Sequence, residues 1–339
     1  MKKISVLLFG LLTVTSAYAQ TEVSNSVGVD FAWYPPSHKG YQTTGFAPID
    51  FDTIPAEDLS SVDNGRDLGT SGYEGIVKFT HSRKISFLQG SGPLTSGNNL
   101  EVRITGDISP VSLGGGVTTI LTPAAPVGIE ASLYAGSGWT VGNLNGLALN
   151  TIDDPYKGTP FGGVYLKANL ATALQFDLAA VYPGDWNHVV AVYRPFLEYE
   201  LNTGAEEDEA WQWQADPGEN FNGWNWQQSI FLGYQTPALK KLNTIGILTQ
   251  TEQRITRYSD SPMDEGGWGS DFLKVYVALI GVLDLKEGHA LTIQAQFARE
   301  RDYTDATVGN ESFFNRKVDT DNPAYWYFRR IALSYSLRL

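Results

Sequence analysis

The last nine residues, Ile331-Ala-Leu-Ser-Tyr-Ser-Leu-Arg-Leu339, carry a large apolar side chain at every odd position. Every even position is small or charged. Period two is the period of a β-strand, whose successive side chains point to opposite faces. One face of this strand suits oil and the other suits water. Left exposed in water, such a strand invites edge-to-edge pairing. In a closed membrane barrel its edge is paired and its apolar face lies in lipid.

The same period recurs along the chain. Roughly twelve runs show it: 27–34, 73–81, 99–108, 115–121, 127–137, 164–181, 189–201, 224–234, 242–257, 271–283, 289–303 and 325–339. In 164–181, Leu166, Leu170, Leu174, Phe176 and Leu178 share a face, against Tyr165, Lys167, Asn169, Gln175 and Asp177. In 189–201, Val189, Tyr193, Leu197 and Leu201 oppose Arg194, Glu198 and Glu200. The pattern is weak in 115–121 and 242–257, where either face suits lipid.

Links between runs alternate in length. Short ones lie at 122–126, 182–185, 236–240 and 286–288, and long polar ones at about 36–72, 139–161, 203–223, 258–270 and 304–324. Short turns on one side and long loops on the other are the rule for outer-membrane barrels. The stretch 82–97 is long for a turn, and Ser109-Pro110 then has to be a short outer loop. The expected fold is all-β, an antiparallel up-and-down transmembrane barrel of about twelve strands, with ten or fourteen also open. A soluble sandwich or jelly roll alternates too, but its strands average about 5–6 residues. Several runs here exceed the 9–11 residues that a tilted membrane strand needs.

The N-terminus reads as an export leader. Lys2 and Lys3 precede the apolar run Val6–Val14, and Ala17-Tyr-Ala19 is a small-x-small cleavage site. Residues 1–19 are expected to be removed, leaving 20–339 as one barrel domain. No other run approaches the roughly 18 apolar residues of a membrane helix. The chain has no cysteine, so its stability comes from elsewhere than disulfides. Net charge is −13, and removing Lys2 and Lys3 makes it more acidic still. That argues against nucleic acid as a partner.

From about residue 26 to the end the chain resembles bacterial outer-membrane β-barrel proteins. Those usually end in an aromatic residue, most often Phe, after apolar residues at alternate positions. The barrel-assembly machinery reads that signal. Tyr335, Leu337 and Leu339 fill the pattern, with Leu at the last position. The segments Asp177-Leu-Ala-Ala-Val-Tyr-Pro-Gly-Asp-Trp186 and Asp216-Pro-Gly-Glu-Asn-Phe-Asn-Gly-Trp224 look like outer-membrane proteins of spirochaete type. The resemblance implies the outer membrane of a diderm bacterium, with its lipid and the assembly machinery as partners.

Charge on the lipid face costs about 2–4 kcal/mol for Arg or Lys at midplane. Charged residues on the polar face should therefore point inward. Asp30, Lys78, Glu101, Arg103, Asp107, Lys167, Asp177, Arg194, Glu198, Glu200 and Arg330 are the candidate pore lining, with Glu74, Glu130 and Glu300 beside them. A lining of this kind selects solutes. The plainer alternative is a salt-bridged lumen that only holds the barrel open. Aromatics near run ends (Trp33, Tyr34, Trp139, Trp186, Trp224, Trp226, Trp268, Tyr325, Trp326 and Tyr327) suit an interfacial girdle. The run Glu206-Glu-Asp-Glu209 has no EF-hand spacing, so it reads as a solvated acidic loop rather than a metal site. No catalytic signature occurs. His81 and Ser82 are adjacent, so a strand sends them to opposite faces. The sequence points to a passive channel for small hydrophilic solutes, with neither catalytic residues nor cofactor. The rival is a structural or surface-interaction barrel whose long loops bind a partner.

Overall fold

The computed structural model describes residues 21–35, 72–141, 144–150, 158–206, 209–214, 220–237, 239, 241–256, 272–301, 303–304 and 317–339. The expected leader at 1–19, most of the links 36–72, 258–270 and 304–324, Trp268, and Glu207, Asp208, Asp216 and Glu219 lie outside the described residues.

Twelve long strands make the wall: β1 (Thr21–Tyr34), β2 (Gly72–Ser86), β3 (Asn99–Ile108), β4 (Ser112–Ala124), β5 (Val127–Gly138), β6 (Tyr165–Asp177), β7 (Val189–Asn202), β8 (Gly223–Gln235), β9 (Leu242–Arg254), β10 (Lys274–Lys286), β11 (His289–Arg301) and β12 (Ala324–Arg338). Each pairs antiparallel with its sequence neighbours, and β12 pairs back onto β1 to close the barrel. Closure leaves no edge unpaired, which is what a sheet in hydrocarbon requires. Each expected run corresponds to one strand.

The alternation sorts the side chains. Val23, Phe79, Ile104, Leu133, Leu170, Ile247, Leu279 and Ile293 are exposed on the outside, Leu133 at 67%. An apolar band around a whole molecule is a lipid-facing surface. A 13-residue strand such as β6 rises about 33 Å at about 3.3 Å per residue and a tilt near 40°. That spans a hydrocarbon core of about 30 Å. At the seam, Ile331, Leu333, Tyr335 and Leu337 lie opposite Trp33, Phe31, Val29 and Val27. Apolar cross-strand pairs thus cover the closure on its outer face.

Two strand ends differ from the expectation. The run over 164–181 stops as a strand at Asp177, and Leu178–Ala180 form one 3-10 turn. Asp177 Oδ1 accepts from Ala179 N at 3.0 Å, which satisfies a turn amide that the strand would have left open. The long stretch 82–97 resolves because β2 continues to Ser86. The remaining link folds on itself, with Asn98 Nδ2 donating to Leu88 O and Pro123 O at 2.9 and 2.6 Å. Ser109-Pro110 is a tight turn, closed by Ser109 N on Ser112 O at 2.9 Å.

β12 also carries a bulge. Gln296 pairs with Arg330 and Phe297 with Phe328, so Arg329 is an extra residue. Strict alternation would put Arg329 in lipid beside Ile331. The bulge turns it inward, where its guanidinium lies 4.8 Å from the Tyr276 ring centroid. Phe328 stays outside against Phe297.

Candidate functional site

The inner surface divides into two halves. The β5–β8 half is filled. Residues Leu147–Asn150 and Ala210–Trp213, from the links after β5 and β7, pair with each other as a small antiparallel sheet. Trp211 is fully buried, and its ring lies 5.3 Å from that of Tyr165, an inward residue of β6. Trp213 stacks 4.9 Å from Tyr165 and 6.3 Å from Tyr134 of β5. Glycine makes the room: a Cβ on Gly136 would lie 2.7 Å from a Trp213 ring carbon. A Cβ on Gly146 would meet Val111 O at 1.8 Å. At the tip of the sheet, Gln214 Nε2 donates to Ser112 Oγ at 2.6 Å.

Beneath the small sheet lies an ionic cluster. Lys167 Nζ is 2.6 Å from Glu198 Oε2 and 3.7 Å from Glu200 Oε1. Tyr165 and Asn225 donate to Glu200 at 2.6 and 3.0 Å, and Gln227 donates to Glu198 at 2.9 Å. Arg194 donates to Glu130 at 2.8 Å. Charges this enclosed need partners, and here they have them.

Among the described residues, the β11–β12–β1–β2 side carries no inserted sheet and holds two cavities. The inner residues there are mostly polar or charged, and the two cavities share these four strands, the lower one reaching also to Glu101 and to residues 284–286. The lower has a volume of about 950 Å³ at the end that carries the short links. Ser24 and Ser26 of β1, Ser82 of β2 and Ser336 of β12 line it. The upper is about 330 Å³, lined by Asp30, Lys78, Thr292, Gln294, Arg330 and Ser334 among others, with Gln214 of the small sheet on its far side. Successive inward positions of the same strands line the two cavities: Ser336 and Ser334, Ala290 and Thr292, and Ser26 and Asp30.

The expected residues thus share the inner face but fall into separate groups. Asp30, Lys78 and Arg330 belong to the upper cavity, and Lys78 Nζ sits 2.5 Å from Asp30 Oδ2. Glu101 lines the lower cavity and pairs with Arg103 at 2.7 Å. Asp107 accepts from the Tyr134 hydroxyl at 3.0 Å, and Lys167, Arg194, Glu198 and Glu200 brace the filled half. Asp177 sits at the strand end with His188 at 2.8 Å, away from both cavities.

Sequence reasoning missed several inward groups. Tyr34 was expected in the girdle but is 5% exposed and donates to Glu74 at 2.6 Å. Trp211, Trp213 and Gln214 sit in a link that reads as acidic and solvated. The Trp-x-Trp spacing there was the available signal, since it gives a strand one aromatic face. Arg329 was hidden by the bulge. Two consecutive arginines in a membrane strand were its signal, because both cannot face water without an extra residue. His81 reaches Asn25 on the outer face while Ser82 donates to Glu101 inside.

No protein-family model and no curated protein matches the chain. Among solved structures it is similar to an outer membrane channel from Pseudomonas putida F1, at 10% identity and TM-score 0.42, over 96% of this chain and 98% of that one. It is similar to the beta domain of the Bordetella autotransporter Brka, at 10% identity and TM-score 0.40, over 94% and 100% of the two chains. The outer membrane channel DcaP of Acinetobacter baumannii gives 8% identity and TM-score 0.35, over 96% and 99%. These neighbours are outer-membrane barrels, and likenesses this distant do not choose among their roles.

Proposed function

We propose that this chain is an outer-membrane barrel of a diderm bacterium that passes small hydrophilic solutes along the β11–β12–β1–β2 wall. One observation carries the reading: two polar cavities stand in line on those strands, while the small sheet fills the other half of the lumen. The short-link end faces the periplasm and the long links face outward, as in other such barrels. Asp30, Lys78 and Arg330 then line the narrow part, and Glu101 and Arg103 stand at the periplasmic vestibule. Lys167, Arg194, Glu198 and Glu200 hold the filled half in place. The reading assigns no chemical step and no cofactor. Kinship with spirochaete-type outer-membrane proteins belongs to the same reading and rests on the two segments quoted above. Purified barrel in planar bilayers should give discrete ion-conductance steps. Silent bilayers containing correctly folded protein would remove the channel.

A second reading is favoured by one feature. Trp211 and Phe221, both essentially unexposed, lie in a link rather than in the wall. Links packed this firmly could present a fixed outer surface to a partner. That role would survive without conductance and would be lost when 203–223 is cut.

A further inference from the structure

The upper cavity has a charge pattern that defines what it can hold. Its two cations and two acids are matched. Lys78 pairs with Asp30 at 2.5 Å. Arg330 lies 3.9 Å from Glu74 and donates to the Tyr34 hydroxyl oxygen at 3.0 Å. The second pair sits two pleat repeats nearer the long-link end, because Ala32 is opposite Glu74 while Gly28 is opposite Lys78. A lone anion entering here would draw a cation away and leave a carboxylate without a partner. Both pairs are part-exposed, so the penalty is modest, but it falls on every solute that brings a single charge. A neutral polyol leaves both pairs intact but gains only hydrogen bonds. A solute with both charges exchanges partners without loss: its carboxylate takes a cation and its ammonium takes the freed acid. The aromatic rings that could stack a sugar are packed against each other on the opposite wall. The volume of about 330 Å³ is near the lower end of small-molecule sites.

We infer that this cavity binds small zwitterions, solutes with one carboxylate and one ammonium a few bonds apart, and so sets which solutes the conduit admits. The inference rests on the channel reading above for the second clause only. The test is calorimetric titration of the detergent-solubilised full barrel with alanine, propionate, ethylammonium and glycerol. Alanine should bind, and each of the other three should bind several-fold more weakly, since each leaves one polar end of the site unmatched. Asp30→Asn alone should shift the preference toward propionate, because Lys78 then keeps only Asp107, opposite it on the next strand, as a neighbouring acid. Asp30→Asn/Lys78→Gln, or Glu74→Gln/Arg330→Gln if the first pair fails to fold, should erase the preference for alanine. Equal binding of all four probes, or a preference unchanged in these variants, overturns the inference. Conductance is recorded on the same samples. Conductance without discrimination leaves the channel and removes the zwitterion site. Discrimination without conductance leaves the site and removes the channel.

Discussion

Lys167 offers a direct test of how burial sets the worth of a charge pair. Its partners Glu198 and Glu200 have side chains only 2% and 12% exposed. Lys167→Met keeps the volume of the stem and removes the cation. Two neighbouring carboxylates then face each other with only neutral donors around them. Removing one member of a buried pair costs about 3–5 kcal/mol. The same change at Lys78 meets different surroundings, because its side chain is 44% exposed and that of Asp30 is 32%. There the expected cost is about 0–1 kcal/mol. Lys167→Met/Glu198→Gln/Glu200→Gln removes the charges together. It should return to within about 1–2 kcal/mol of the parent, since a neutral replacement of a buried cluster is often tolerated. Urea unfolding in lipid vesicles, followed by tryptophan fluorescence and extrapolated linearly, gives the three differences. Equal costs for Lys167→Met and Lys78→Met would refute the burial argument. So would a triple variant as unstable as the single one.

Four further outcomes can be checked. Gly136→Leu should push Trp213 off the wall, because even a Cβ would stand 2.7 Å from its ring; the expected result is a larger single-channel conductance, and an unchanged one counts against the small sheet as the restriction. Deleting 331–339 removes every pairing of β12 with β1, from Trp33↔Ile331 to Ser26↔Arg338. The exposed amides cost several kcal/mol each in hydrocarbon, so normal membrane levels of the truncated chain would contradict the seam. The chain has no native cysteine, so single cysteines report facing cleanly: a membrane-impermeant thiol reagent should label position 194 and spare 197, and the reverse pattern would invert the wall. Intact mass of the exported protein should lack residues 1–19, and retention of Lys2 and Lys3 would exclude the leader.

The wall was legible because every strand meets two solvents, and Leu166, Leu170 and Leu174 against Lys167 and Asn169 can satisfy only one arrangement. β4 was the faint case for a physical reason. Its Gly114, Gly115 and Gly116 carry no side chain to alternate, and the tyrosine of the next strand needs that bare surface. The interior was less legible. Period two tells which residues point inward but not which groups meet across the lumen. Lys167 with Glu198 and Glu200 could have been guessed from their neighbouring strands. The pairing of 147–150 with 210–213 could not, because those strands are only four residues each and their partners are some 60 positions apart. Arg329 shows a third limit: a single inserted residue resets the phase, and a strict period-two reading then puts the arginine on the wrong side.

The upper cavity also lies on the seam of the barrel. Ser334 donates to Asp30 across a sequence separation of 304 residues, and Arg330 reaches Tyr34 across 296. No hairpin or run of neighbouring strands contains both halves of this site. They come together only when the two ends of the chain meet, which in an up-and-down barrel is the closing event. Formation of this cavity and completion of the barrel are thus one step. A partly assembled sheet holds half a cavity with unmatched polar groups, and the finished site exists only in a barrel that has shut.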